Sequence, residues 1–198
     1  MKESVTTAEA RIKSIIQDSI DVKTRTLNDA AIASTVAEVV EVMVQAFQNG
    51  NKVMFCGNGG SAADAQHLAA ELSGRFYKDR DPLPAEALHV NTSYITAVAN
   101  DYSYNHIYAR LVKGFGKSGD VLVGLSTSGN SANIMAAFEQ AKSQGIVTVG
   151  FTGAGGGKIA PLSDYLLAVP SSDTPRIQEV HITLGHIICQ LVEEFLFS

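Results

Sequence analysis

The feature that most constrains the fold is a series of short apolar runs that begins at Lys52. Each run is rich in Val, Leu and Ile and ends in a Gly, Ser, Asn or Asp turn, and most are followed by a stretch with helical periodicity. This alternation is typical of βα units, in which helices cover both faces of a parallel sheet. The pattern predicts five parallel strands, at Lys52–Cys56, Ala85–Val90, Val121–Leu125, Val147–Phe151 and Tyr165–Val169. We therefore expect an α/β fold with a five-stranded parallel sheet flanked by helices.

Helices precede and follow this predicted sheet. Apolar spacing predicts them at Ser4 to about Lys23, about Asp29 to Asn49, and about Pro175 to Phe197. Asn28 is the expected N-cap of the second helix, and Thr174 is that of the last. We expect one domain over residues 1–198, with 1–50 as a helical oligomerisation segment and 51–198 as the α/β core. Because uncovered apolar helices are costly in water, the terminal helices should pack together or against another subunit.

The composition excludes several classes of function. The formal net charge is -5 and Lys and Arg form no cluster, so the chain offers no electrostatic surface for nucleic acid. Cys56 and Cys189 are far apart and lack a CxxC spacing, which favours a reducing compartment. The first 20 residues lack a signal-peptide pattern, and the apolar runs look strand-sized, too short to span a membrane. We expect a cytoplasmic protein with no direct nucleic-acid partner and no membrane contact.

Two strand-ending turns are candidates for binding an anion. Ligands of open parallel sheets bind at the carboxyl ends of strands, near the point where strand order reverses. Gly57-Asn58-Gly59-Gly60-Ser61 precedes a helix expected to open at about Ala62, and its glycines would let an oxygen approach backbone N–H groups. Ser126-Thr127-Ser128-Gly129-Asn130-Ser131 places four hydroxyls before a helix and is the better phosphate candidate. The alternatives are a tight connection without a ligand and a serine-rich N-cap.

Neither of these turns matches a nucleotide-binding motif. The sequence has no GxGxxG followed by a suitably spaced acidic residue, and Gly157-Lys158 is followed by Ile159 rather than Ser or Thr. ATP and NAD are therefore disfavoured. We expect Gly153–Gly157 to be a mobile loop without chemistry, and Tyr77–Pro84 has no assignable role.

Four polar residues on two helices are candidates for proton transfer or metal binding. His67 and Glu71 are four residues apart and so share a helix face, where the alternative is a surface pair without function. Gln178 and His186 lie in an apolar stretch of the last helix and need polar partners. Eight residues of α-helix span roughly 12 Å. The two side chains could share one small site only if they are long, if the geometry is irregular, or if they come from two subunits. Three other histidines are expected to be surface or core residues: His89, His106 and His181.

Several motifs together resemble the sugar isomerase (SIS) domain, and within it the phosphoheptose isomerases. They occur in the family's order over nearly the whole chain: Gly57–Ser61, Ala65–Leu72, Ala99–Asp101, Ser126–Ser131 and Arg176–His181. The resemblance implies a doubly wound, flavodoxin-like sheet and a homotetramer with active sites between subunits. It also implies conversion of D-sedoheptulose 7-phosphate to D-glycero-D-manno-heptose 7-phosphate. That would be the first step of nucleotide-activated heptose synthesis for lipopolysaccharide core or another glycan.

The same resemblance implies roles for individual residues. The substrate-binding set would be Asn58, Gly59, Gly60, Ser61, Glu71, Arg75, Asn100, Asp101, Ser126, Thr127, Ser128, Ser131 and Gln178. The four ligands of one zinc ion per subunit would be His67, Glu71, Gln178 and His186. Glu71 would be the general base and His186 the general acid, acting through an enediolate. Two alternatives stay open: an isomerase for another phosphosugar, and a non-catalytic SIS tetramer that binds the bacterial replication initiator.

Overall fold

The structure, a computed structural model, describes the backbone of residues 2–197 and the side chains of residues 7–197. Its helices are α1 (Lys2–Leu27), α2 (Ala30–Gln48), α3 (Gly60–Ser73), α4 (Thr92–Asp101), α5 (Ile107–Phe115), α6 (Ala132–Ser143) and α7 (Thr174–Leu196). Its strands are β1 (Val53–Gly57), β2 (Ala85–Ala87), β3 (Val121–Ser126), β4 (Val147–Thr152) and β5 (Tyr165–Ala168). Two short 3₁₀ helices lie at Tyr104–His106 and Gly157–Leu162.

The predicted elements are present, with differences at their ends. β2 stops at Ala87 rather than Val90, and α3 opens at Gly60 rather than Ala62. The predicted caps are each off by one residue. Asp29, not Asn28, caps α2 through a carboxylate that accepts from the Ala31 N–H at 3.0 Å. Asp173, not Thr174, is the N-cap residue of α7.

All strand pairs in the sheet are parallel, in the order β2-β1-β3-β4-β5, which confirms the predicted fold class. The chain leaves β1 outward to β2 and then returns to form β3 on the other side of β1. The strand order therefore reverses between β1 and β3. Gly57 and Leu125 lie opposite each other at the carboxyl ends of these two strands. We call Gly57–Ser61 the glycine turn and Ser126–Ser131 the hydroxyl turn. The two turns consequently emerge side by side at the switch point, where such sheets bind ligands.

Both faces of the sheet are buried, because alternate strand residues point to opposite sides. Val53 and Phe55 pack into a cluster formed with α2, α3 and α7. Met54 and Cys56 point the other way, into a cluster formed with α4, α5 and α6. All five residues of β1 are buried, which explains its continuous apolar run.

Helix α2 is longer and more apolar than a strand-sized run. By length and composition alone, Ala30–Gln48 passes the test for a helix that could cross a membrane, contrary to the sequence-based expectation. In the fold its buried residues, among them Val36, Val40 and Met43, pack in the cluster shared with the sheet and α7. One face of α2 is therefore in the core, and 33% of its apolar window is buried.

Candidate active site

The glycine turn brings the strand β1 directly into the first turn of α3. Gly59 adopts a positive φ of 57°, a conformation that favours glycine. A Cβ on Gly57 would lie 2.4 Å from the carbonyl oxygen of Ser61, so the turn can close only without a side chain there. At Gly60 the limit is softer, because its Cβ would lie 2.6 Å from Nε2 of the Gln178 side chain on α7, which could shift. The turn thus brings Gln178 to its edge.

The hydroxyl turn connects β3 to α6 and gathers its side chains around one point. Ser126 and Ser131 lie at its two ends, with their Oγ atoms 2.8 Å apart. Ser126 is buried, whereas Ser128 is exposed. Ser131 is the N-cap residue of α6, and its side chain makes no cap hydrogen bond among the described residues, so its hydroxyl does not compete for the helix N–H groups. Free N–H groups and clustered hydroxyls at a helix start suit a phosphate.

The Gly153–Gly157 segment supports the hydroxyl turn. The Gly153 N–H donates to the carbonyl of Thr127 at 2.9 Å, and the Ile159 N–H donates to the carbonyl of Gly129 at 2.9 Å. A Cβ on Gly129, whose φ is +64°, would lie 2.2 Å from the carbonyl oxygen of Gly156. The segment expected to be a mobile loop therefore packs against the hydroxyl turn, with one hydrogen bond at its first residue, Gly153, and another just beyond its end, at Ile159.

A pair of amides joins the two turns. Asn58 of the glycine turn and Asn133 of α6 exchange hydrogen bonds, with Nδ2-to-Oδ1 distances of 2.9 and 2.8 Å. The hydroxyl of Tyr104 also donates to Oδ1 of Asn58, at 2.9 Å. One residue earlier in the glycine turn, the carbonyl of Gly57 accepts from the hydroxyl of the buried Tyr108. The sequence analysis missed Asn133, although its position just after the hydroxyl turn was a usable signal.

Helices α3 and α7 lie side by side and run in the same direction. Gly60 contacts Gln178 at their first turns, and further along Leu68 contacts Gly185. A Cβ on Gly185 would lie 2.5 Å from Cδ1 of Leu68, so the close approach of the helices depends on the missing side chain. Within one chain the parallel packing keeps Gln178 and His186 apart, because the two residues meet different turns of α3 along one groove.

Three of the four predicted metal-binding residues converge in this groove. Nε2 of His67 lies 2.9 Å from Nε2 of His186 and 3.1 Å from Oε1 of Glu71. The ligand atoms of all three lie within 4.8 Å of one another. The His67 side chain is 49% exposed and Glu71 21%, so the cluster is open to a ligand from one side. The ring of Phe76 lies 5.6 Å from that of His186 and covers its other flank.

The donor set of this cluster fits a zinc ion. Two imidazole nitrogens and a carboxylate oxygen are typical zinc ligands, and tetrahedral coordination places such atoms about 3.3 Å apart. The His67–His186 and His67–Glu71 separations of 2.9 and 3.1 Å are close to that spacing. Gln178 is set apart from them, since its carboxamide contacts Gly60 instead. Its predicted role as a ligand stays a prediction.

Asp64 is a further acidic residue at this site that the sequence analysis missed. Its Oδ2 is buried without a hydrogen-bond partner among the described residues. Burial raises the pKa of the Asp64 carboxyl, against the opposing effect of His67 and His186 nearby. The signal was available in the sequence, because Asp64, His67 and Glu71 follow an i, i+3, i+7 spacing on one helix face.

A buried ion pair fixes the segment that follows α3. The Glu193 carboxylate on α7 accepts from the N–H groups of Phe76, Tyr77 and Lys78, at 3.1, 2.8 and 2.6 Å, and from Nε of Arg80 at 3.0 Å. Arg80 in turn donates to the carbonyl of Glu71 at 2.9 Å. Burial alone would raise the pKa of Glu193, but these donors hold it below its ordinary value. The Tyr77–Pro84 segment, without an assignable role in the sequence, thus ties the end of α3 to α7.

Three other predicted substrate-binding residues are exposed: Arg75, Asn100 and Asp101. Asn100 and Asp101 are exposed at the end of α4, joined by a 2.9 Å hydrogen bond, and shortly precede Tyr104. Arg75 is exposed just beyond the end of α3. Their roles stay predictions. Two residues of the Arg176–His181 motif hold α1 instead, since Arg176 donates to the carbonyl of Ile15 and Glu179 accepts from Ser19.

The remaining histidines lie outside the cluster. His181 is fully buried, with Nε2 3.0 Å from the carbonyl of Thr152, and burial lowers its pKa to about 4. Nδ1 of His89 is buried without a partner among the described residues, and burial lowers the pKa of that ring. His106 is exposed. None of the three belongs to the metal-binding group found in the described part of the chain.

A glycine-rich turn and a serine-rich turn thus meet at the switch point of a parallel sheet, beside a groove that holds two histidines and a carboxylate. A family model described as SIS domain matches residues 18–153, so the chain is a SIS-domain protein. The phosphoheptose isomerase of Aneurinibacillus thermoaerophilus is 53% identical over 186 residues, which cover 94% of each chain. That of Rhodospirillum rubrum is 54% identical over 190 residues, covering 96% of this chain and 100% of the relative.

Solved structures agree with these relatives. The phosphoheptose isomerase of Neisseria gonorrhoeae superposes with a TM-score of 0.88 at 41% identity, covering 94% of this chain and 98% of that one. The Francisella tularensis phosphoheptose isomerase superposes with a TM-score of 0.90 at 35% identity and the same coverage. The chain belongs to the phosphoheptose isomerase family, and it is a sugar phosphate isomerase.

Proposed function

We propose that this enzyme converts D-sedoheptulose 7-phosphate to D-glycero-D-manno-heptose 7-phosphate. The observation that carries the proposal is the convergence of Glu71 and His186, from two helices, beside two anion-binding turns. Relatives more than 50% identical over nearly the whole chain are named phosphoheptose isomerases. The product would enter nucleotide-activated heptose synthesis for lipopolysaccharide core or another glycan.

The substrate would bind as an open chain, with its phosphate in the hydroxyl turn. Ser61, at the start of α3, would donate to the phosphate oxygens together with Ser126, Thr127, Ser128 and Ser131 and with N–H groups at the start of α6. The glycine turn, Arg75, Asn100, Asp101 and Gln178 would bind the sugar hydroxyls. The carbonyl end would then reach the groove between α3 and α7.

Glu71 and His186 would divide the proton transfers. Glu71 removes a proton from C1, next to the C2 carbonyl, and returns it to C2 of the enediolate. His186 moves the oxygen-bound proton between O2 and O1, which leaves an aldehyde at C1 and a hydroxyl at C2. One oxygen of Glu71 faces His67 at 3.1 Å, so the second oxygen is the one available to the substrate. The exposed flank of the cluster would admit the substrate.

We also propose one zinc ion per subunit, held by His67, Glu71, Gln178 and His186. The convergence of two imidazoles and a carboxylate supports three of these ligands. When bound, zinc would polarise the substrate carbonyl as a Lewis acid. Metal content measured by mass spectrometry should be about one zinc per chain in the wild type and far lower in His67→Gln. Equal zinc content in the two proteins would contradict this assignment.

The oligomer proposed is a homotetramer with active sites between subunits. Its support is an apolar groove of about 500 Å³ between α1, α2 and α7, lined among others by Leu27, Ile32 and Ile187. Three α1 residues, Ile12, Ile16 and Ile20, are about half exposed and extend this apolar surface. Sedimentation velocity should give a tetramer for the wild type and smaller species for Ile187→Glu. Such an assembly would be cytoplasmic.

The decisive experiment is turnover of sedoheptulose 7-phosphate followed by NMR. Glu71→Gln and His186→Gln should each lower kcat/KM by at least about a hundredfold, the scale of acid–base catalysis. Glu139→Gln, an identical change at an exposed residue of α6, is the matched control and should keep wild-type activity. Wild-type rates in both site variants would overturn the assignment of roles.

The same assay separates the two other possibilities. Five- and six-carbon ketose phosphates test whether another phosphosugar is the preferred substrate. A non-catalytic tetramer that binds the replication initiator would turn over none of them. The presence of both Glu71 and His186 favours the enzyme.

A further inference from the structure

The structure links the two ends of the proposed substrate site through one buried side chain. Asn133 is 2% exposed and lies two residues beyond Ser131, on the first turn of α6. Its carboxamide exchanges two hydrogen bonds with that of Asn58, on the neighbouring turn. Asn133 is outside the residue sets assigned above to substrate, metal or catalysis.

The geometry of this pair restricts the motion of the glycine turn. Oδ1 of Asn58 accepts from both Asn133 and Tyr104, and its Nδ2 donates to Asn133. The Asn58 side chain therefore cannot rotate without breaking three hydrogen bonds, one partner of which is a buried amide that would be left unsatisfied. The Tyr108 hydroxyl donates to the adjacent carbonyl of Gly57. The position of the glycine turn is consequently set relative to α6 and the hydroxyl turn.

We propose that Asn133 is a positioning residue that fixes the spacing between the hydroxyl turn and the glycine turn, so that the site selects phosphosugars by chain length. This inference rests on the proposed function, in which the phosphate is anchored at one turn and the sugar is bound at the other. An additional or missing carbon then displaces the reacting carbonyl along the site. A misplacement of about 1 Å can cost about a hundredfold in rate, so a rigid spacing turns length into selectivity.

The test compares three variants. Asn133→Leu removes the amide and keeps a side chain of similar size. Tyr104→Phe removes only a hydroxyl from a residue that is 49% exposed, and so should fold normally. Phe138→Leu is the matched control, because it weakens the buried side of the same helix without touching the amide pair. For each protein, kcat/KM is measured with seven-, six- and five-carbon ketose phosphates, and calorimetry gives Kd for inorganic phosphate and for each sugar phosphate.

In Asn133→Leu we expect the preference for the seven-carbon over the six-carbon substrate to fall at least about tenfold. Tyr104→Phe should shift it in the same direction by less, and Phe138→Leu should leave it unchanged. Affinity for inorganic phosphate should stay within about twofold of wild type in all three, because four of the five proposed side-chain donors to the phosphate belong to the hydroxyl turn. A change in thermal stability alone would not lower the length preference while leaving the affinity for inorganic phosphate unchanged.

The inference is overturned if Asn133→Leu keeps the wild-type preference for chain length. It is also overturned if the substitution raises Kd for inorganic phosphate and for every sugar phosphate by one common factor. Failure of the proposed function has a different signature. A wild type that prefers a shorter phosphosugar, or binds sugar phosphates without turnover, rejects the heptose assignment. The dependence of Kd on chain length in wild type and Asn133→Leu still decides the role of Asn133 in that event.

Discussion

Acid should destabilise this protein through His181, a residue outside the active site. The ring is fully buried on α7, with one nitrogen 3.0 Å from the carbonyl of Thr152. Its other nitrogen, Nδ1, is buried without a partner among the described residues. Protonating Nδ1 would place a positive charge in the core, and burial accordingly lowers the pKa of His181 from 6.5 to about 4.

The size and sign of the effect follow from this shift. Between pH 6.5 and pH 4 the unfolded chain binds a proton at this histidine and the folded chain does not, so protons favour unfolding. The stabilisation is complete above the unfolded pKa and is lost as the pH falls towards the folded one. At about 1.4 kcal/mol per unit of pKa, lowering the pH from about 7.5 to about 4.5 should cost about 2 to 3 kcal/mol.

The assay is urea unfolding at a series of pH values, for wild type and His181→Gln. Glutamine can still donate to the Thr152 carbonyl but does not titrate, so the difference in unfolding free energy between the two proteins isolates the histidine. We expect that difference to shift by about 2 to 3 kcal/mol in favour of the variant as the pH falls to about 4.5. A difference that stays constant over this range would refute a neutral, buried His181.

Two further predictions concern the supports of the site. Arg80→Leu leaves the Glu193 carboxylate buried without its cation and should lower the free energy of urea unfolding by about 3 kcal/mol. Lys142→Ala removes the 40% exposed partner of Asp164 and should lower it by less than about 1 kcal/mol. Equal losses would contradict the difference in burial. Gly129→Ala should destabilise by about 2 kcal/mol or more and weaken phosphate binding, since φ is +64° and the new Cβ would meet the Gly156 carbonyl at 2.2 Å. The control Gly114→Ala, on α5 with open space around it, should be neutral or stabilising, and a similar loss there would show that the Gly129 effect is not local.

The sheet could be predicted because its strands are buried on both faces. Continuous apolar runs such as Val121–Leu125 carry that information locally. The end of β2 could not be predicted in the same way: Leu88 still donates to the Phe55 carbonyl, but the ladder then ends at the sheet edge. The caps were off by one residue because Asn28 and Asp29 are both good cap residues, and only the Ala31 N–H distinguishes them.

The candidate site was predictable in its parts and not in its assembly. The spacing of His67 and Glu71 shows one shared face, but His186 is more than a hundred residues away, and only the packing of α3 on α7 brings it to 2.9 Å. The mobility of Gly153–Gly157 stays a prediction, and its packing against the hydroxyl turn could not be read from glycine content alone. Glu193 was missed because its partners are remote in sequence, whereas Asp64 and Asn133 had local signals that were overlooked.

The contact of Gly185 with Leu68 limits how this scaffold can diverge. An alanine Cβ at that helix crossing would lie 2.5 Å from Cδ1 of Leu68, so the Leu68 side chain would have to shift beside the pair formed by His67 and His186. The turns at the strand ends carry no such steric limit at their exposed positions, such as Ser128 and Asn130. New substrate preferences should therefore arise by changing the rim of the cleft, while the interhelical gap that sets the chemistry stays invariant.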